Sequence, residues 1–174
     1  MISSVFGVVF FGFGSSGAAS AKYNDFKFIN QGDHWSTKLD GRYALFTYLP
    51  EDVVNIEVDN SAINILKNII QIDATSDFND TFSQSIALAQ YQMGITLSNF
   101  NIFIRSGFTN SKESDFPVIT CNNATQFVPV IYFKSSNETK VYLQDNCIIA
   151  EASNDRDMAR VKDRLVYGIL NIIE

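Results

Sequence analysis

Three short runs and one long one near the carboxyl end decide the fold: Val130-Ile131-Tyr132-Phe133, Thr139-Lys140-Val141-Tyr142-Leu143, Cys147-Ile148-Ile149-Ala150-Glu151-Ala152, and the stretch from Asn154 to Ile172. The first three are rich in β-branched and aromatic residues and bounded by turn formers, which reads as three strands, with Ser135-Ser136-Asn137-Glu138 turning the chain between the first two. After Asn154 the period changes. Met158, Val161, Leu165, Ile169 and Ile172 recur at three- and four-residue steps, the apolar stripe of a helix that Asn154 caps. Arg160, Lys162, Asp163 and Arg164 are expected mostly on the wet side of that helix. An apolar stripe of this length has to dock on the sheet, so this end of the chain alone asks for an α+β domain.

Upstream, Tyr23 to Pro50 has period two. Phe26 and Phe28 alternate with Asp25 and Lys27, Gln31-Gly32 interrupts, and Trp35, Thr37 and Leu39 resume the pattern. Asp40-Gly41 then predicts a two-residue type I′ turn, because both central positions need positive φ, and that register sets Trp35 opposite Phe46. The segment is an antiparallel β-meander. Between it and the carboxyl-terminal strands the pattern predicts a short helix begun by Pro50 and a brief strand at Ile56 and Val58. A helix capped by Asp59 or Asn60 follows, with Ile63, Leu66 and Ile70 on one side, then a strand from Ile70 to Ala74. Thr81 with Gln84 forms the pattern of a capping box, followed by Phe82, Ile86, Ala89 and Met93 on one helical face. Ile102 to Phe108 and Val118 to Cys121 read as strands, separated by the polar, aperiodic Thr109 to Asp115. Nothing in this order marks a linker between two domains.

The amino end is different in kind. No charged side chain precedes Lys22, and within that stretch lies Val5-Phe6-Gly7-Val8-Val9-Phe10-Phe11-Gly12-Phe13, followed by small residues. An apolar run of that length suits the core of a secretory leader, whereas the whole uncharged stretch approaches the roughly 20 residues of a membrane-crossing helix only by counting Gly and Ser. Ala19-Ser20-Ala21 has the small-x-small form of a cleavage site, but the basic segment expected before a leader core is lacking. Residues 1–21 are therefore expected to be a hydrophobic leader or a membrane anchor, and residues 22–174 one extracytoplasmic domain. Exported chains with an even cysteine count usually oxidise them, so Cys121 and Cys147, the only two, are expected to pair. The sequons at Asn79, Asn123 and Asn137 permit glycosylation without arguing for it.

Composition removes several function classes. With 13 basic and 19 acidic residues the net charge is −6, and no local basic stripe exists to hold a phosphate backbone, so nucleic acid is not an expected partner. One histidine and two cysteines cannot make a Cys/His zinc centre, and any Ser-His-Asp triad would have to run through His34, which reads as a turn residue beside Asp33. The glycines Gly7 and Gly12 lie in the apolar leader with no following Lys-Ser/Thr, so there is no phosphate-cradling loop. No cofactor is expected.

From Asn55 onward the order is strand, helix, strand, helix, strand, long loop, strand pair and closing helix, which resembles the thioredoxin fold. The segment Val128-Pro129-Val130-Ile131-Tyr132-Phe133-Lys134 is similar to the one that family enters through a cis proline before a hairpin and a terminal amphipathic helix. The resemblance implies a mixed sheet with βαβα-β-ββα order, here preceded by the antiparallel meander, and it makes Pro129 the candidate cis-proline. Where the family carries Cys-x-x-Cys, this chain has Asp73-Ala74-Thr75-Ser76-Asp77, so no thiolate with a lowered pKa stands at the helix start. In texture, from Lys22-Tyr23-Asn24-Asp25-Phe26-Lys27-Phe28 to Arg160-Val161-Lys162-Asp163-Arg164, the chain is also similar to uncharacterised archaeal proteins with one amino-terminal membrane anchor.

Three functional readings follow. The first is a non-enzymatic, membrane-anchored or secreted domain that binds another protein at the cell envelope. The second, implied by the thioredoxin resemblance, is a divergent thiol-disulfide oxidoreductase, with Cys121 eight residues ahead of Pro129. The third is a small-ligand or cation binder at Asp73, Asp77 and Asp80, which follow a strand and precede a helix where open α/β sheets often bind ligands. A calcium loop starting at Asp77 would lack Gly at its sixth position, Phe82, and Glu at its twelfth, Leu88. Glu51, Asp52, Glu57 and Asp59 read as a solvated acidic rim, and the aromatics Trp35, Tyr43, Phe46 and Tyr48 as half core, half surface.

Overall fold

A computed structural model describes residues 18–110 and 115–173. The apolar run Val5 to Phe13, and with it most of the expected leader, lies outside the described residues. No helix among the described residues is long and apolar enough to cross a membrane.

The architecture is α+β and holds two sheets. Strands β1 (Ser20–Tyr23), β2 (Phe26–Asn30), β3 (Trp35–Leu39) and β4 (Arg42–Phe46) form an antiparallel meander in chain order. Asp40 and Gly41 take φ of 47° and 82°, the conformation a type I′ turn demands, and Trp35 stands opposite Phe46 as the turn chemistry predicts. Ser20 and Ala21, the last two residues of the expected leader, pair with Ile29 and Phe28 in the first strand pair. The meander leads into α1 (Pro50–Val53), β5 (Glu57–Val58) and α2 (Asn60–Asn64), where Asp59 caps α2 by accepting from the Ser61 amide.

The second sheet has six strands in the order β5, β9 (Lys140–Gln144), β10 (Cys147–Ala152), β8 (Val130–Ser135), β6 (Gln71–Ser76) and β7 (Phe103–Phe108). Strands β10, β8, β6 and β7 run parallel, and β9 is antiparallel to β10. Helix α3 (Ser83–Ser98) carries the chain from β6 to β7, and α4 (Asp155–Ile169) follows β10.

Both long helices lie on one face of this sheet, and the meander covers them from outside. Ile72, Ala74, Ile131, Phe133, Val141, Ile148 and Ala150 meet Ile86, Met93, Leu97, Met158, Val161 and Leu165 in one continuous core. Phe46 of the meander stacks on Tyr167 of α4 at 3.9 Å between ring centres, and Phe28 sits edge-on to both. The second layer explains why Lys162, Asp163 and Arg164 are buried rather than wet. Where β4 leaves the sheet, the amides of Thr47 and Tyr48 donate to the Asp163 carboxylate at 2.9 and 2.8 Å, Lys162 pairs with the same carboxylate, and the Tyr167 hydroxyl donates to Tyr48 O at 2.7 Å. The charged side of α4 therefore satisfies the main chain of the crossing segment, which would otherwise be buried without partners.

Four further expectations change. Strand β10 inserts between β8 and β9, so Ser135 to Glu138 is a crossing and not a hairpin turn; the tight turn is Asp145-Asn146, with φ of 47° and 67°. Val118 to Cys121 makes a single bridge, Val118 to Phe108, before a 3-10 turn. The Thr81–Gln84 capping box does not form: α3 starts after Phe82, whose amide is held by Asp80 at 2.8 Å. Ile70 is 78% exposed at the mouth of β6 rather than packed with Ile63 and Leu66.

Candidate functional site

The sheet face turned away from the helices is an ordered lattice of side chains. Across β5, β9, β10 and β8 the register puts Glu57, Lys140, Glu151 and Lys134 in one row of alternating charge. Cross-strand opposite charges of this kind support the pairing. Glu151, buried, accepts from the Tyr142 hydroxyl at 3.1 Å and meets Lys134 Nζ at 3.3 Å. The next row is Tyr142, Ile149, Tyr132, Thr75 and Gly107, and the third is Gln144, Cys147, Val130, Asp73 and Arg105. Burial raises the phenol pKa of both Tyr132 and Tyr142, with the Glu151 charge adding to the rise at Tyr142.

A strap crosses this lattice. Phe108 N donates to Pro117 O, Ile119 N donates to Phe108 O, and the Thr75 hydroxyl donates to Ile119 O at 2.7 Å, which draws Ile119 onto Val130, Cys147 and Ile149. The strap is then fixed by the Cys121–Cys147 disulfide, as the cysteine count anticipates, with Cα atoms 5.1 Å apart. Gly107 makes room for it: a Cβ there would lie 2.5 Å from Pro117 O and 2.7 Å from an Ile119 methyl. Cys147 is fully buried on an interior strand, and Cys121 is partly exposed. The bond before Pro129 is trans, against the cis geometry the resemblance implies, and Pro129 O accepts from Asp73 N at 3.0 Å.

The three aspartates do not assemble into one site. Asp73 is buried against the Arg105 guanidinium, its carboxylate also accepting from Gln71 Nε2 at 3.0 Å. Asp77 accepts from the Asn79 amide, and Asp80 from the amides of Phe82 and Ser135. Each carboxylate is engaged with different partners. Among the described residues no three His, Cys, Asp or Glu side chains are placed to hold a metal ion. His34 contacts Asp33 at 2.6 Å in the exposed turn before β3, as its position in the sequence suggests.

What spacing did not single out is the apolar surface where α3 meets the edge strand β7. Ile86, Ala89 and Met93 face the core as expected, but Leu88, Tyr91 and Ile95 form a second stripe on the same helix, and Tyr91 is 67% exposed. Tyr91 and Ile95 continue onto Phe103 of β7, 60% exposed, along a shallow groove. Among the described residues β7 is the last strand of the sheet. Phe103 N donates to Ile70 O, so by strand alternation the main-chain groups of Ile104 and Ser106 point away from β6, while those of Phe108 bond the strap. The signal for this surface was present in the three- and four-residue spacing of Leu88, Tyr91 and Ile95, masked by the stronger stripe beside it. Compared with protein-family models, curated proteins and solved structures, the chain matches none of them.

Proposed function

We propose that this chain is a non-enzymatic binding domain of an oxidising compartment, secreted or tethered through its amino-terminal apolar segment. On this reading it engages a protein partner at the cell envelope by strand addition to β7. The observation that carries the reading is the apolar stripe running from Tyr91 and Ile95 onto Phe103, beside an outward-facing strand edge. Exposed edges are normally blunted by charge, Pro or a cover, and contiguous exposed apolar surface beside one marks an interaction site. An extended peptide laid against Ile104 and Ser106 would gain main-chain hydrogen bonds from the edge and bury alternate side chains in the groove. The Cys121–Cys147 bond supports an oxidising location, since such bonds are rare in the cytosol.

The test places a benzophenone side chain at Phe103 in cells and, as a control, at the exposed Tyr43 of the meander. The expected result is one discrete photo-adduct from position 103 in the membrane or secreted fraction, lost when Ser106→Pro removes an edge amide, and none from position 43. No adduct, or the same adducts from both positions, sinks the edge as the binding surface. Thiol-disulfide exchange, the rival reading, predicts instead a bond that small dithiols reduce rapidly in the folded protein and a released thiol titrating below the usual range; slow reduction that tracks unfolding supports a binding domain.

A further inference from the structure

Strand register assembles in the meander a charged row that linear spacing conceals. Lys22 stands directly opposite Lys27 across β1 and β2, and Lys38, one step beyond the Phe28–Thr37 pair, comes level with Lys27 across β2 and β3. All three are exposed and alternate with the buried Tyr23, Phe28 and Thr37, so they share the face of the meander turned away from the helices. Like charges directly opposite one another weaken strand pairing. Among the described residues no carboxylate forms an ion pair with any of the three. Ile29, one pair along on the same face, is 36% exposed. The row is also set against the charge of the rest of the molecule. Up to Phe46 the chain has four basic and three acidic residues, and the remainder has nine and sixteen. Those three acids, Asp25, Asp33 and Asp40, lie in the turns between strands.

This face lies close to where a tether would hold the domain. β1 is an edge strand of the meander, and Ala19 O accepts from Asn30 N, which fixes the chain where it enters the sheet. Phe13, the last residue of the apolar run, is seven residues ahead of Ser20, at most about 25 Å of extended chain. We propose that the lysine face of the meander lies on an anionic lipid surface, with Lys22, Lys27 and Lys38 meeting headgroup phosphates and Ile29 turned to the acyl boundary. The proposal rests on the tethered form of the function above, in which the apolar segment raises the effective concentration of this face at the bilayer. Lipid phosphates would relieve the mutual repulsion that water leaves in place. Each lysine near such a surface contributes about fivefold in affinity. The acidic remainder of the molecule is repelled by the same surface, which turns the meander toward it. β7 belongs to the other sheet, so partner and bilayer engage different strands.

The test mixes the oxidised full chain with vesicles of phosphatidylcholine alone, or of equal parts phosphatidylcholine and phosphatidylglycerol, and reads brief acetylation of each lysine by mass spectrometry. Acetylation of Lys22, Lys27 and Lys38 is expected to slow severalfold on the anionic vesicles relative to the neutral ones. Lys134 and Lys140, partly exposed on the lattice face, should keep their rates. High salt should abolish the difference by screening. Lys27→Gln should weaken affinity for the anionic vesicles about fivefold and leave that for the neutral ones unchanged. The same substitution should raise the urea midpoint, because it takes out the lysine that faces two others. Equal rates on the two vesicles, protection that extends to Lys134 and Lys140, stronger protection by soluble polyglutamate, or a Lys27→Gln variant that loses stability would each overturn the assignment. Flotation with neutral vesicles reports the tether by itself. Protection on anionic vesicles without that flotation keeps the docking face and removes the tether, whereas flotation without protection removes the docking face and keeps the tether.

Discussion

The two faces of the six-stranded sheet are built by opposite means. On the helix face, Ile72, Ile131, Phe133, Ile148 and Ala150 are covered by two amphipathic helices and, outside them, a meander, so stability is spread over many contacts of similar weight. On the other face the lattice is half polar, and its small apolar patch of Ile119, Val130, Cys147 and Ile149 is covered by one strap held by a disulfide, a bridge and the Thr75 hydroxyl. A face of the first kind tolerates the loss of any one contact except a large one, whereas a face of the second kind depends on a few specific fastenings.

Neighbouring residues on β8 put this contrast to its sharpest test. Phe133 is fully buried under the helices, and Phe133→Ala should cost about 3–5 kcal/mol in urea unfolding. Tyr132, one residue earlier and facing the strap, is only partly buried, and Tyr132→Ala should cost roughly half as much or less. Equal losses would mean that the strapped face is as tightly packed as the helix face. On the strap itself, replacing both Cys121 and Cys147 by Ala opens a loop with a sequence separation of 26 and should cost about 3 kcal/mol by the chain-entropy estimate. Hydrogen exchange locates that loss: amides of Ile119 to Ala124 should exchange faster in the native state while those of α4 slow or quicken only with global stability.

What the sequence made legible follows the same division. Periodicity found the helix face, because Met158, Val161 and Leu165 or Ile86, Ala89 and Met93 announce a buried stripe whichever layer covers them. Turn chemistry fixed the meander, since Asp40-Gly41 leaves one register and that register pairs Trp35 with Phe46. Periodicity says nothing about a second cover, so Lys162 and Asp163 read as wet although the meander buries them. Nor does local turn chemistry separate a hairpin from a crossing, and Ser135 to Glu138 therefore looked like a turn between neighbours that β10 in fact separates. The surface that suggests partner binding was least legible of all: the exposure of Phe103 depends on where β7 falls in the sheet, which no single segment records.

Gly107→Ala probes the strap without touching its sulfurs. The added Cβ would meet the Pro117 carbonyl oxygen at 2.5 Å, and backbone cannot step aside as a side-chain tip does, so the strap has to lift. A loss of about 1–3 kcal/mol is expected, as for other overpacked sites, together with faster exchange at Ile119. The disulfide keeps the strap from leaving altogether, so Gly107→Ala should cost much more in the reduced chain's strap protection than in the oxidised chain's. Identical effects in the two redox states would show that the bridge to Phe108, and not the disulfide, positions the strap.

The smallest expected effect belongs to the helix face and is read by pH. At the start of α4, burial raises the Asp157 pKa, but the Arg160 ion pair at 2.8 Å and the hydroxyls of Thr139 and Ser153 outweigh it and hold the carboxyl below its ordinary 3.8. A carboxyl whose pKa is lower in the folded chain than in the unfolded one stabilises fully above the unfolded value, and that contribution is lost as pH falls through the folded value. The window therefore lies below about pH 4, and the loss should be about 0.5–1 kcal/mol, the scale of a partly exposed pair. Asp157→Asn should lower stability at neutral pH by that amount and flatten the acid limb of the stability curve. Arg160 also bonds Asp52 O and Asn55 Oδ1, so its removal should disturb α1 as well, whereas Asp157→Asn should leave exchange in α1 unchanged. A variant whose acid limb matches the parent's would shift the acid sensitivity of this face to other carboxylates.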